Sequence, residues 1–179
     1  MYCNGIIVRQ QSDEKYRGLD SCGAVENWYL CTEPDFEPFY EENIERTYYN
    51  LLPHSWVAAC TDMDYIRRYV EKSKELGIPY RLILCETDIP QPQFDPQGLE
   101  KTFLGYDYAY TGGDYYSAVY QEMPYVFAHF ALNENGLFET QDEIRAYLAD
   151  REEFISTHPP YTLEDGDFAV YRLWEIKHL

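Results

Sequence analysis

Residues 56–85, with the sequence WVAACTDMDYIRRYVEKSKELGIPYRLILC, decide the fold class that we expect for this chain. The short apolar runs at 56–60 and 80–85 are typical of buried strands. Between them, apolar side chains recur at the three- and four-residue spacing of a helix. Two buried strands joined by a helix favour a parallel pair with a right-handed crossover. We therefore expect a strand, a helix and a second strand in this order.

The helix inside this unit has sequence signals at both ends. Thr61 is placed to be its N-cap, and Asp62 and Asp64 would lie in the first turn, where the helix dipole favours negative charge. Gly77 can adopt the left-handed conformation that commonly ends a helix. The apolar positions share one face, so we expect that face to pack on a sheet. These positions are Ile66, Tyr69, Val70 and Leu76.

Outward from this unit, the sequence predicts more strands than helices. Apolar or alternating segments predict strands at 5–8, 28–32, 106–110, 115–120, 125–132 and 168–176. Two further helices are expected, one at about 39–50 and one that starts at the capping box of Thr140 and Glu143 and ends at His158. We expect a single α+β domain over residues 1–179. Its sheet would be mixed, mostly antiparallel and of about six to seven strands, with three helices mainly on one face.

The composition excludes several classes of protein. An apolar content of 45% with 17% aromatic residues is too high for a disordered chain. There are 32 acidic and 14 basic residues, a net charge of -18, which disfavours direct binding to nucleic acid or to an anionic membrane. No apolar run approaches the roughly 20 residues that cross a bilayer. With no signal-peptide pattern and an odd number of unclustered cysteines, we expect a cytoplasmic protein with reduced thiols.

The acidic residues are concentrated in two stretches. Residues 18–45 contain eight acidic residues and no lysine or arginine, and residues 82–144 contain eleven against Lys101 alone. Surfaces formed by these stretches would attract a partner of opposite charge.

The second acidic stretch encloses a tyrosine hairpin, which we define as residues 104–120, LGYDYAYTGGDYYSAVY. Alternation places three of its tyrosines on one face of a strand, and the Gly112–Gly113 pair permits a tight turn. Tyrosine is frequent at interface hot spots, which favours a contact surface for a partner. Two alternatives are that one face of the hairpin packs on a helix, or that it lines a small-ligand site. The predicted partner-binding residues are Tyr106, Asp107, Tyr108, Tyr110, Asp114, Tyr115, Tyr116, Glu37 and Glu41.

No motif predicts a catalytic residue, a metal ligand or a cofactor. The four histidines lack the spacing of a zinc site, and no calcium-binding loop is present. Gly112–Gly113 has none of the residues that complete a phosphate-binding loop.

The function that these features favour is inhibition of a basic protein. We expect an acidic inhibitor, such as an immunity protein that covers the active site of a nuclease-like bacterial toxin. One alternative is an enzyme, a transferase or hydrolase with its site near the 89–98 loop and the tyrosine hairpin. Another is a DNA mimic, although the wealth of tyrosine counts against a phosphate-like array of carboxylates.

Overall fold

The computed structural model describes residues 2–11, 28–29, 61–77, 80–89, 94, 96–110, 116–117, 129–158 and 168–179. The secondary-structure elements in these ranges are β1 (Tyr2–Gln11), β2 (Trp28–Tyr29), α1 (Met63–Leu76), β3 (Tyr80–Thr87), β4 (Lys101–Tyr110), β5 (Tyr116–Ser117), α2 (Gln141–Thr157) and β6 (Phe168–Ile176). None of the helices in these ranges has the length and apolar character needed to cross a membrane.

The described strands form one open sheet in the order β2-β1-β3-β6-β4-β5. Every strand pair in the described ranges is antiparallel, and β2 and β5 contribute only two residues each. The predicted α+β fold and its mostly antiparallel sheet are therefore confirmed, whereas the described pairings contain no parallel component.

Strand β3 lies in the middle of the sheet and not in a parallel pair. Between Ile83 and Thr87 it pairs with β1 on one side and with β6 on the other, both antiparallel. Since both sides of the strand are occupied there, the expected parallel pairing of β3 is wrong for these residues. The strand predicted at 56–60 lies outside the described residues.

Both helices pack on the same face of this sheet. Residues directly opposite each other on paired strands share a face, and Leu84, Trp174 and Phe103 form such a row across β3, β6 and β4. Helix α1 packs against Leu84 in this row. Helix α2 packs beside Tyr108 and Val170, a cross-strand pair on the same face. The predicted placement of the helices on one face thus holds for α1 and α2.

Helix α1 begins one residue later than the sequence predicts. Its N-cap is Asp62 rather than Thr61, because the Asp62 carboxylate accepts hydrogen bonds from the backbone N–H groups of Asp64 and Tyr65, each at 3.0 Å. Gly77 ends the helix with φ of 68°, as predicted.

Helix α2 has the predicted capping box. The Thr140 hydroxyl accepts from the Glu143 backbone N–H at 3.2 Å, and the Glu143 carboxylate accepts from the Thr140 N–H at 2.8 Å. Apart from the single helical residue His129, these two helices are the only ones within the described ranges, and the third predicted helix, at 39–50, lies outside them. The strand predicted at 125–132 is wrong for its described residues, because His129 is helical and residues 130–132 are not in a strand.

A turn before α2 is fixed directly onto β4. Asn133 donates through its side-chain amide to the carbonyl of Leu104 at 2.7 Å, and the backbones of Tyr106 and Phe138 exchange two hydrogen bonds. This approach requires a glycine at 105, where φ is 145° and a Cβ would lie 2.5 Å from the Leu137 Cβ. The turn therefore holds the start of α2 close to β4.

Candidate functional site

Strand β4 carries the described half of the tyrosine hairpin. Its end pairs with β5 through Ala109 with Ser117 and Tyr110 with Tyr116, so the two arms meet as a hairpin requires. Tyr106 and Tyr108 lie on the helix-bearing face of the sheet and are each partly exposed. Both pack against the cluster that includes Ile144 and Tyr147 of α2. Packing on a helix thus accounts for part of each ring and leaves the rest accessible.

Tyr108 is held between α2 and β6. Its ring stacks on Phe168 with centroids 5.3 Å apart and an interplanar angle of 24°. The guanidinium of Arg151, which is only 6% exposed, lies 5.5 Å from the centroid of the Tyr108 ring. A cation over an aromatic face is attracted by the quadrupole of the ring. Arg151 therefore connects α2 to the tyrosine strand.

Asp107 does not lie on the surface, although it was predicted to contact a partner. Its side chain is 1% exposed, and its carboxylate accepts from the Tyr108 backbone N–H at 2.8 Å. Alternation along β4 turns it to the sheet face opposite the tyrosines, where it lies across from buried Tyr171. In this position its carboxylate cannot pair with an arginine of a partner. Asp107 is therefore removed from the candidate contact surface.

The other predicted site residues are described only in part. Tyr110 and Tyr116 form a cross-strand pair, but only their backbones are described. The remaining four lie outside the described residues: Asp114, Tyr115, Glu37 and Glu41.

The outer face of α2 is an acidic surface that the sequence predicted only in part, because Asp142 and Glu143 lie in the acidic stretch 82–144 whereas Glu152 and Glu153 lie beyond it. Of the two basic residues of this helix, Arg151 points inward and Arg145 is paired with Asp142 at 3.4 Å. The solvent face of α2 is therefore more acidic than the composition of the helix, because Arg151 does not contribute its positive charge there. A signal was present, because three acidic residues lie between 150 and 153 just beyond the base-poor stretch. The exposed carboxylates are those of Asp142, Glu143, Glu152 and Glu153.

A second polar group, which we name the Glu86 cluster, lies on the helix-bearing face and consists of Glu86, Arg172, Trp174 and Lys101. One carboxylate oxygen of Glu86 accepts from Arg172 Nε and from the Trp174 indole N–H, the latter at 2.8 Å. The other oxygen accepts from Lys101 Nζ at 3.3 Å. Lys101 Nζ also lies 4.4 Å from the centroid of the Trp174 ring. Since Glu86 and Arg172 are 86 residues apart in sequence, no local pattern predicts the cluster.

The Glu86 carboxyl group is held in its charged form. Burial acts to raise its pKa, but hydrogen bonds from Trp174 and Arg172 and the charges of Arg172 and Lys101 outweigh burial. The pKa of Glu86 is therefore below its ordinary value. At Glu175, burial is likewise outweighed by hydrogen bonds and charges from Lys177 and Arg81, so its pKa is also lowered.

The opposite face of the sheet carries a buried polar row. Thr87, Tyr171 and Asp107 lie side by side on β3, β6 and β4, and each is 1% exposed. Burial, followed by the electrostatic influence of neighbouring Cys85 and Asp88, raises the pKa of Tyr171 well above its ordinary value. The Tyr171 phenol therefore stays protonated at neutral pH.

Within the described part of the chain, no three histidine, cysteine or acidic side chains are arranged to hold a metal ion. Comparison of the chain with protein-family models, with curated proteins and with solved structures gave no match.

Proposed function

We propose that this protein binds and inhibits a basic protein partner through the acidic face of α2 and the adjacent tyrosine strand β4. In its most specific form, the proposal is that the chain is an immunity protein that covers the active site of a nuclease-like toxin. The observation that carries it is the charge of α2, whose exposed carboxylates face solvent while Arg151 points inward.

Charge supports such a role through association rate and orientation. A surface of one sign steers a partner of the opposite sign and raises association rates by about 10- to 1,000-fold at low salt. Nucleases bind phosphate through basic clefts, so a carboxylate-bearing helix complements such a cleft. The overall charge of -18 is negative like the face of α2, so it adds a long-range attraction for a basic partner.

Tyr106 and Tyr108 supply the second requirement, which is packed aromatic area. They are partly exposed and pack against the buried side of α2, so that the aromatic surface adjoins the helix that carries the acidic face. Interfaces commonly combine an aromatic centre with a polar rim. Arg151 and Phe168 hold the Tyr108 ring in place, which reduces the entropy lost on binding.

The proposal is tested by capture followed by kinetics. The immobilised chain is exposed to a lysate of its source organism at low salt, and the recovered basic protein is purified for measurement of its binding rates. We expect the association rate to fall steeply as salt rises, because the Debye length shrinks from about 30 Å at 0.01 M to about 8 Å at 0.15 M.

Matched charge reversals locate the surface. The double change Glu152→Lys and Glu153→Lys should lower the association rate by about tenfold or more. The control is Glu71→Lys with Glu75→Lys on α1, which alters net charge equally from another exposed helix face. Equal loss in both variants, or recovery of no basic partner at low salt, contradicts the proposal.

The enzyme alternative is favoured by one observation. Trp174 of the Glu86 cluster contacts Phe103 of β4, which in turn contacts Tyr106. Trp174 also packs against the same apolar cluster as Phe94 and Leu99, which precede β4 in the chain. This is the region between the 89–98 loop and the tyrosine hairpin. An enzyme would show turnover that is lost in Glu86→Gln, whereas an inhibitor would retain its affinity for the partner.

A further inference from the structure

Two cations converge on one carboxylate in the Glu86 cluster. Arg172 and Lys101 bind different oxygens of Glu86, and both also lie close to the ring of Trp174, at 5.3 Å and 4.4 Å from its centroid. The cluster therefore carries one more positive charge than negative. In a chain with 32 acidic and only 14 basic residues, this local excess of positive charge runs against the overall composition.

Both cations keep hydrogen-bond donors that nothing in the described part of the chain uses. Arg172 donates through Nε alone, and Lys101 makes a single hydrogen bond. A guanidinium has five N–H groups and an ammonium has three. The two terminal nitrogens of Arg172 are thus available to donate. Together they can bind one planar acceptor through two parallel hydrogen bonds.

The two cations are more accessible than the carboxylate that they bind. The side chains of Arg172 and Lys101 are each 33% exposed, and that of Glu86 is 12% exposed. The Phe103 ring packs edge-on against two other rings, with its centroid 5.1 Å from that of Trp174 and 5.4 Å from that of Tyr106, so the cluster has aromatic neighbours. Such surroundings strengthen a charge-assisted hydrogen bond relative to one in bulk water.

We propose that Arg172 and Lys101 form a binding site for a small oxyanion, namely the carboxylate or phosphate group of a small-molecule ligand. The oxyanion accepts from the terminal nitrogens of Arg172 and from Lys101, which balances the charge of the cluster. Glu86 and Trp174 are positioning residues that fix the two cations. The site is independent of the acidic face of α2 and does not rest on the proposed inhibitor function.

The Glu175 cluster provides an internal comparison. Glu175 is also bound by two cations, Arg81 at 2.9 Å and Lys177 at 2.8 Å. There, however, Arg81 takes part in further interactions, and its side chain is only 13% exposed. Glu175 and its two cations therefore leave fewer hydrogen-bond donors for a ligand. Lys177 is a suitable control position because it also pairs with a carboxylate but lies outside the Glu86 cluster.

The experiment follows the indole N–H signals of the three tryptophans by NMR while inorganic phosphate or acetate is added. Ionic strength is held at about 0.15 M with potassium chloride, where screening acts within about 8 Å. The signal of Trp174 is assigned through Trp174→Phe. Because its N–H donates to Glu86, we expect this signal to shift and saturate with at least one of the two anions.

Stronger binding of phosphate assigns the site to phosphate-bearing ligands, and stronger binding of acetate assigns it to carboxylates. Lys101→Met should weaken binding about tenfold, as loss of a charge-assisted contact worth about 1.4 kcal/mol does. Arg172→Lys keeps the charge but loses the fork, and it should weaken binding as well.

Lys177→Met should leave the titration unchanged, and thermal unfolding shows that each variant is folded. Absence of a saturable shift in the wild-type protein overturns the proposal, whatever the variants do. Equal affinity in wild type and Lys101→Met overturns it too.

Discussion

Helices α1 and α2 lie on the same face of the sheet, yet they differ in the surface that they present to solvent. Their buried sides are alike, with Ile66 and Tyr69 of α1 and Ile144 and Tyr147 of α2 fully covered. Their charges are not alike, since α1 has four basic and three acidic residues whereas α2 has two basic and five acidic residues.

This difference shows that the fold does not require the acidity of α2. Both helices meet the need to bury an apolar stripe against the sheet, and that need leaves the solvent side unconstrained. On α1, Asp64 pairs with Arg67 and Glu75 with Lys72, so charges of both signs alternate. The acidity of α2 is therefore not explained by its packing on the sheet.

The largest expected effect would show that the two buried sides are equivalent. Ile66→Ala and Ile144→Ala should each lower the free energy of unfolding by about 2–5 kcal/mol, because each removes fully buried methyl groups and leaves a cavity. Urea unfolding monitored by circular dichroism measures both. A loss below about 1 kcal/mol in only one variant would mean that its helix is not part of the common core.

An intermediate effect is expected where the two helical regions meet. Glu86 accepts a hydrogen bond from Trp174, which packs against the apolar cluster of α1. Glu86 also binds Arg172, and the cross-strand neighbour of Arg172 is Tyr106, which packs against the apolar cluster of α2. Glu86→Gln leaves both Arg172 and Lys101 without their counter-charge and should cost about 1–3 kcal/mol. Urea unfolding at neutral pH measures this cost.

The same variant makes a prediction about pH. Because the folded-state pKa of Glu86 is below its unfolded value near 4.5, its stabilisation is fully present above that value and is lost as the pH falls through the folded-state pKa. The unfolding free energy of Glu86→Gln should therefore decline less in acid than that of the wild type. Part of the acid-induced loss of stability remains in this variant, because the pKa of Glu175 is lowered as well. An unchanged acid dependence would contradict the charged state assigned to Glu86.

The smallest expected effect compares the two arginines of α2. Arg151→Met removes a buried cation from the Tyr108 ring and should destabilise by about 1–2 kcal/mol. Arg145→Met removes an exposed pair with Asp142 and should change stability by less than about 0.5 kcal/mol. Thermal unfolding of both variants gives the difference. Equal values would show that Arg151 is not what fixes α2 to the tyrosine strand.

Several elements could be predicted because their signals are local. The capping box at Thr140 and the glycine at 77 mark helix ends through contacts within one turn. The alternation in 168–176 predicted a strand, and β6 spans Phe168–Ile176. The choice between Thr61 and Asp62 as N-cap failed by one residue, because both side chains can cap and only the backbone geometry decides between them.

The candidate sites could be predicted only in part. Alternation separated Asp107 from the tyrosines of β4, but it could not show which face of the sheet is closed to solvent. The expected parallel pair of β3 failed because strand order depends on long-range pairing, and here both neighbours are antiparallel strands from distant parts of the chain. The Glu86 cluster has the same origin.

The sequence by itself determined the acidic character, both ends of α2, the C-terminal end of α1 and the alternating strand β6, since these depend on composition and on neighbours within a few residues. Only the tertiary structure decided that Asp107 is buried, that Arg151 points inward and that Glu86 receives two cations. Each of these outcomes depends on which strands become neighbours and on which face the helices cover. Such choices are set by packing between segments far apart in the chain, and no local pattern encodes them.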